Sequence, residues 1–166
     1  HPQLPLEDCL HLIEEMERSG IKSVDITGGE PLVRRDYEEI FKSLSEHGIF
    51  IGLIFTNASL LTEEAIDALR KYGHNPGFQL SFDGLGHHDW LRGVDGAERQ
   101  ADEGFALLKK HKLRAIAGMM IHRKNKDTLR DTAYHLAELG VETLRVNAPQ
   151  MLGIWKEYKD IYAMTE

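Results

Sequence analysis

Two short stretches carry the residue types that can do chemistry. The first, Thr27-Gly28-Gly29-Glu30-Pro31, puts adjacent glycines before a carboxylate. Glycines allow a ligand to approach the backbone closely, and free strand-end carbonyls together with the Glu30 carboxylate form an acceptor-rich pocket suited to a ligand ammonium. The same residues also serve as a tight turn into a helix with an exposed Glu. The second stretch, Ser81-Phe82-Asp83-Gly84, places Ser81 and Asp83 on one face of a strand by its period of two, where they can hydrogen-bond the hydroxyls of a sugar. Behind it come His87, His88, Asp89, Arg92 and Gly93, which read as a solvated loop with a helix cap or, less readily, as ligands for a divalent ion. Thr56-Asn57 lines a pocket or caps a turn. Met119 and Met120 suit core packing or an apolar ledge for a flat ring. Cys9 falls on the apolar face of a helix, where a buried thiol is expected.

These residues need elements to hold them. Apolar positions recur at helical spacing through Cys9–Met16, Tyr37–Leu44, Ala65–Leu69, Ala101–Leu108, and Leu129, Ala133, Leu136 and Ala137. Asp36 and Thr62 stand where N-caps belong, and Gly20, Gly48, Gly73 and Gly140 where helices stop. Between the helices, β-branched and aromatic runs at Ser23–Thr27, Ile49–Phe55, Phe78–Phe82, Ala115–Ile121 and Thr143–Asn147 predict strands. The second and fourth are nearly continuous apolar runs, the pattern of strands covered on both faces. The fifth leads through Ala148-Pro149 into Met151-Leu152-Gly153. Helix and strand alternate as α, then four βα units, then β, so the fold class is α/β with parallel strands and crossover helices. Working residues in such folds lie at the C-terminal ends of strands, where both candidate stretches fall.

A closed (βα)8 barrel needs about 250 residues, and this chain has 166 with no strand before its opening helix. The expectation is a single domain over 1–166 that is part of a larger barrel, with an uncovered sheet edge at Ser23–Thr27 open to pairing. Hydrophobic residues at 42% and charged residues at 28% suit a soluble globular core. A net charge of −7 without a basic run argues against nucleic acid, and the longest apolar run, Ile49–Phe55, is far too short to span a membrane. The expected setting is the cytoplasm. One cysteine excludes an internal disulfide framework and any several-cysteine metal site built from this chain.

Taken together, Asp25-Ile26-Thr27-Gly28-Gly29-Glu30-Pro31-Leu32 and Ser81-Phe82-Asp83-Gly84 with His88-Asp89-Trp90-Leu91-Arg92-Gly93 and Gly96-Ala97 resemble the radical S-adenosylmethionine (radical SAM) enzymes. The resemblance runs from about Leu6 to Gly153 and is nearest to the branch of anaerobic sulfatase-maturing enzymes and peptide-modifying maturases. It implies a partial radical SAM barrel of about five strands and five helices, lacking the first strand and the cluster loop. It implies S-adenosylmethionine and a 4Fe–4S cluster as cofactors. Gly28, Gly29 and Glu30 would receive the methionyl ammonium, and Ser81, Asp83 and Arg92 would contact the ribose or the methionyl carboxylate. Met120 and Val146 would pack on adenine. The family holds its cluster with Cys-x3-Cys-x2-Cys, which is absent here. No metal ligand is therefore expected in this chain, the cluster cysteines are expected upstream of His1, and this chain alone is expected to be inactive. The implied activity is reductive cleavage of the cofactor to a 5'-deoxyadenosyl radical that takes hydrogen from a peptide or protein substrate, with flavodoxin or ferredoxin as electron donor. Two rival readings are a non-catalytic scaffold or binding module, and a divalent-metal barrel hydrolase or isomerase using Asp83, His87, His88 and His122.

Overall fold

The structure, a computed structural model, describes residues 3–150 and 156–157, so the continuation Met151-Leu152-Gly153 lies outside the described residues. Among the described residues, six α-helices and five strands follow in the order α1 (Leu6–Arg18), β1 (Ser23–Ile26), α2 (Tyr37–Glu46), β2 (Phe50–Thr56), α3 (Glu63–Lys71), β3 (Gly77–Ser81), α4 (His88–Arg92), α5 (Ala97–Lys110), β4 (Ala115–Met120), α6 (Leu129–Glu138) and β5 (Thr143–Asn147). The strands stand in chain order in one sheet, β1-β2-β3-β4-β5, and the β1–β2 and β4–β5 ladders are parallel. None of the described helices is long and apolar enough to cross a membrane.

Within the length of one domain the chain divides into two compact units, His1–Thr56 with Leu60–Phe78, and Asn57–Ser59 with Gln79–Glu166. The first unit packs Ile13 of α1, Phe41 and Leu44 of α2, and Ala65, Ile66 and Leu69 of α3 in a core that includes Ile51 and Ile54 of β2. Its sheet edge is open at β1, where Ser23 and Asp25 are exposed. Cys9 is half-buried beside a groove it shares with Leu12, Met16 and Val24, a more open site than the buried thiol expected. The second unit buries Leu80, Phe82, Ala101, Phe105, Leu108, Ala117, Met119 and Leu136.

Several elements depart from expectation for identifiable reasons. Phe50 is exposed and Gly52 half-exposed, so β2 is covered fully on one face only. Ala133 and Ala137 are exposed; α6 buries Thr132 and Leu136, and the Thr132 hydroxyl accepts a hydrogen bond from the Leu85 N–H at 3.2 Å. Asp36 does not cap α2, because its carboxylate is taken by Arg34 in two bonds of 2.9 Å. Thr62 does cap α3, accepting from the Ala65 N–H. The short helix α4 arises inside the expected loop, and Asp89 on it reaches forward to accept from the N–H groups of Gly96 and Glu98, both at 2.6 Å. That carboxylate supplies the cap that Gly96, at the N-cap of α5, has no side chain to give.

Candidate cofactor-binding site

In the first unit, β1 ends at Ile26 and the chain turns through Thr27-Gly28-Gly29-Glu30 into a 3-10 turn, Pro31–Val33. Gly28 has φ +145°, a conformation that side chains rarely adopt. A Cβ added at Gly28 or Gly29 would meet nothing within 4 Å, so the glycines leave space beside the backbone instead of relieving a crowd. Glu30 is extended, and its Oε1 accepts from the Thr56 hydroxyl at 2.8 Å and the Leu32 N–H at 3.3 Å. Thr56, on the last residue of β2, thus holds the carboxylate, whereas Asn57 closes a local turn by accepting from the Ser59 N–H at 2.8 Å. The result is a cleft of about 420 Å³ lined by Gly28, Gly29, Glu30, Pro31 and Arg34 among others. Arg34 also donates to the Leu4 carbonyl at 2.9 Å.

In the second unit the strand end is organised differently. Ser81, the last residue of β3, is half-buried, and its hydroxyl has no hydrogen-bond partner among the described residues. Asp83, two residues on, is fully buried. Its Oδ1 accepts from the Met120 N–H at 2.9 Å and its Oδ2 from Arg92 Nε at 2.8 Å. The His88 ring lies with Nδ1 3.2 Å from Oδ2 and 3.0 Å from the Asp83 nitrogen, stacked on Phe82 at 5.5 Å between centroids. Burial alone would raise the Asp83 pKa; the His88 hydrogen bond, the Arg92 charge and the Met120 N–H outweigh it and hold the carboxyl below its ordinary value. Gly84 makes this possible: its φ is +102°, and a Cβ there would come within 2.8 Å of Thr128 Oγ1. Asn125 completes the arrangement, donating from Nδ2 to the carbonyls of Asp83 at 2.7 Å and Met120 at 2.8 Å. Its Oδ1 accepts from the His122 N–H at 2.7 Å. Burial lowers the His122 pKa, with Asp83 opposing.

The expectation that Ser81 and Asp83 face a sugar side by side therefore fails for Asp83, whose two oxygens are consumed inside the protein. A second correction concerns Met120 and Val146. The β4–β5 register pairs Met120 with Asn147 and Met119 with Val146, so Met120 and Val146 lie on opposite faces of the ladder. Asn147, not Val146, shares the Met120 face. One residue further back, Gly118 pairs with Arg145. Arg145 Nη1 donates to Gln79 Oε1 at 2.7 Å, and a Cβ on Gly118 would come within 2.9 Å of Gln79 Nε2. Residues of β3 and β5 thus meet across β4 at a glycine. A glycine inside a strand hints at such an approach, but nothing in the sequence names Gln79 and Arg145 as its partners.

The divalent-metal reading finds no ligand set. His88 is committed to Asp83 and Asp89 to the start of α5, and among the described residues no cluster of three or more His, Cys, Asp or Glu is placed to hold an ion.

Comparison with known proteins shows the family. The family profile described as the Radical SAM superfamily matches residues 1–136. The chain is 30% identical over 155 residues to a PqqA peptide cyclase of Bradyrhizobium diazoefficiens, covering 91% of this chain and 40% of that protein. It is 30% identical over 146 residues to an AdoMet-dependent heme synthase of Methanosarcina barkeri, covering 87% of this chain and 41% of that one. Among solved structures, Streptococcus suis SuiB bound to its precursor peptide SuiA superposes with a TM-score of 0.76 at 18% identity, over 98% of this chain and 36% of SuiB. The chain spans about two fifths of the length of the curated relatives it matches. Its Gly-Gly-Glu strand end, its α/β order and the profile match over most of its length lead to one conclusion: the chain belongs to the radical SAM superfamily.

Proposed function

We propose that this chain is the S-adenosylmethionine-binding part of a radical SAM oxidoreductase that modifies a peptide or protein side chain. The observation that carries the reading is the open backbone at Gly28 and Gly29 beside the Glu30 carboxylate, which Thr56 holds in place. That acceptor set fits the cofactor's ammonium: carbonyls and a carboxylate accept its hydrogen bonds, and no side chain at 28 or 29 stands in the way. Ser81 and Arg92 are assigned to the ribose and the methionyl carboxylate, and Met120 to adenine. Asn147 replaces Val146 as its neighbour, on the strength of the register.

The residues present do not fit a 4Fe–4S cluster, since the chain has one cysteine, half-buried on α1. The reading therefore takes the cluster cysteines from elsewhere in the full polypeptide. The two cofactors together supply one-electron reductive cleavage of the sulfonium to methionine and a 5'-deoxyadenosyl radical that removes a hydrogen atom from substrate. This chain's residues bind and orient: Glu30 the amino group, Arg92 the carboxylate, Ser81 the sugar. A cytoplasmic setting with flavodoxin or ferredoxin as electron donor suits that chemistry. The peptide substrate is supported by the relatives, among them the PqqA peptide cyclase and SuiB in complex with SuiA.

The test uses the full-length protein, reconstituted anaerobically with iron and sulfide and given dithionite. Release of 5'-deoxyadenosine is expected, together with weakened S-adenosylmethionine binding in Glu30→Ala. A reconstituted protein that neither binds nor cleaves the cofactor would point to the scaffold reading instead.

A further inference from the structure

The structure assigns Asp83 the part of a positioning residue: it touches no ligand itself, and it holds the Arg92 guanidinium by one nitrogen so that the other two face a carboxylate. The inference rests on the proposed cofactor reading. It begins from an asymmetry in the pair. The Asp83 side chain is 1% exposed and that of Arg92 is 38% exposed. The bond between them uses Nε, at 2.8 Å. Among the described residues Nη1 and Nη2 have no partner, which leaves the outer edge of the guanidinium with its N–H groups available. A carboxylate accepts two parallel bonds from such an edge.

Two further contacts make the anchor rigid. Oδ1 of Asp83 is occupied by the Met120 N–H, so the carboxylate cannot rotate without breaking that bond. Asn125 joins the carbonyls of Asp83 and Met120. An arginine held in this way has given up much of its rotamer freedom before a ligand arrives, and the affinity gained is the ordering that binding no longer requires. The same buried group ties Arg92 to the end of β4, where Met120 stands. Asp83 thus links the residue assigned to the carboxylate with the residue assigned to adenine.

An asparagine at 83 keeps an acceptor for the Met120 N–H, but it either turns an N–H toward Arg92 Nε or loses the charge that holds the guanidinium. The experiment measures equilibrium binding of S-adenosylmethionine and of decarboxylated S-adenosylmethionine to the anaerobically reconstituted full-length protein. It compares wild type, Asp83→Asn, Arg92→Ala and the double variant. We expect Asp83→Asn to weaken S-adenosylmethionine binding about tenfold, to leave the decarboxylated compound bound as before, and to have no further effect once Arg92 is Ala. Equal losses in both Arg92 backgrounds, or equal losses for both compounds, would overturn the inference and make Asp83 a structural group of the strand end. Normal binding in Asp83→Asn and Arg92→Ala, with weakened binding in Glu30→Ala, would overturn it while leaving the cofactor reading intact. Absence of binding by the wild type would take both away. Should Asp83→Asn not fold, Arg92→Lys decides: a lysine keeps the charge but cannot hold Asp83 and present a fork together. It is expected to bind as weakly as Arg92→Ala, and wild-type affinity in Arg92→Lys would overturn the inference.

Discussion

At the end of β1 the chain turns through two glycines with empty space beside them, and one carboxylate oxygen tied to Thr56 and a backbone N–H orders the turn. At the end of β3 a fully buried aspartate gathers Arg92, His88 and the Met120 backbone, and Asn125 donates to its carbonyl. The first presents backbone and a carboxylate at the turn itself. The second hides its charge and presents only what that charge supports. Ligand contact and scaffold are one layer of residues at β1 and two layers at β3. Substitutions at β1 should therefore act on binding with small cost to stability, and substitutions at β3 should act on stability first.

The largest expected effect is that of Asp83→Ala. Arg92 is 38% exposed and can turn to water, so the cost falls first on the Met120 N–H left without its acceptor, about 1–3 kcal/mol, to be read from denaturant unfolding and from loss of amide protection at Met120. The pH dependence has a definite sign. The folded pKa of Asp83 lies below its ordinary 3.8, so the unfolded chain takes up the proton first. The stabilisation is complete above the ordinary value and disappears as pH falls through the folded one. Wild type should lose more stability than Asp83→Asn as pH falls below about 4; parallel acid transitions would break the contrast between the two strand ends.

Glu30→Ala comes next. Loss of a charged acceptor should weaken S-adenosylmethionine binding by about 10- to 100-fold, from the 1.5–3 kcal/mol typical of such bonds, with little change in the thermal midpoint. A fall in midpoint as large as that of Asp83→Ala would show that β1 is built like β3 after all. The two glycines should then separate. Gly28→Ala forces a side chain onto φ +145° and is expected to cost about 1–3 kcal/mol of stability. Gly29→Ala has open space and no such φ, so it should fold normally and lose affinity alone. The smallest effect is that of Thr56→Val, about 1 kcal/mol, with a few-fold loss of affinity as Glu30 loosens. Isothermal titration of both variants beside Glu30→Ala checks the order.

Much of this arrangement was legible from the residues, and what was not follows a pattern. Helices and strands appear where apolar period and glycine stops put them, to within a residue or two at Ile26 and Phe50. The β1 site was visible because its chemistry is local, with Gly28, Gly29 and Glu30 adjacent in the chain. Helix α4 escaped because five residues are too few for a period to declare itself. Asp83 was recognised as a chemical residue but given the wrong surroundings, since the groups that surround it include Met120 and Asn125, 37 and 42 residues away. Val146 in place of Asn147 is a different error. Alternation shows which residues share a face within one strand, but matching faces between strands needs register, and a shift of one residue exchanges the faces.

Gly118 has a consequence for how this part of the protein can be inherited. The Gln79–Arg145 contact across β4 runs past position 118, where a Cβ would come within 2.9 Å of the Gln79 amide nitrogen. That nitrogen ends a flexible side chain, so a methyl group at 118 would displace the amide and disturb the pair without forbidding it. Changes at 118 should therefore be accompanied by changes at 79 and 145 among relatives, in contrast with Gly29, which open space leaves free to vary unless a ligand forbids it.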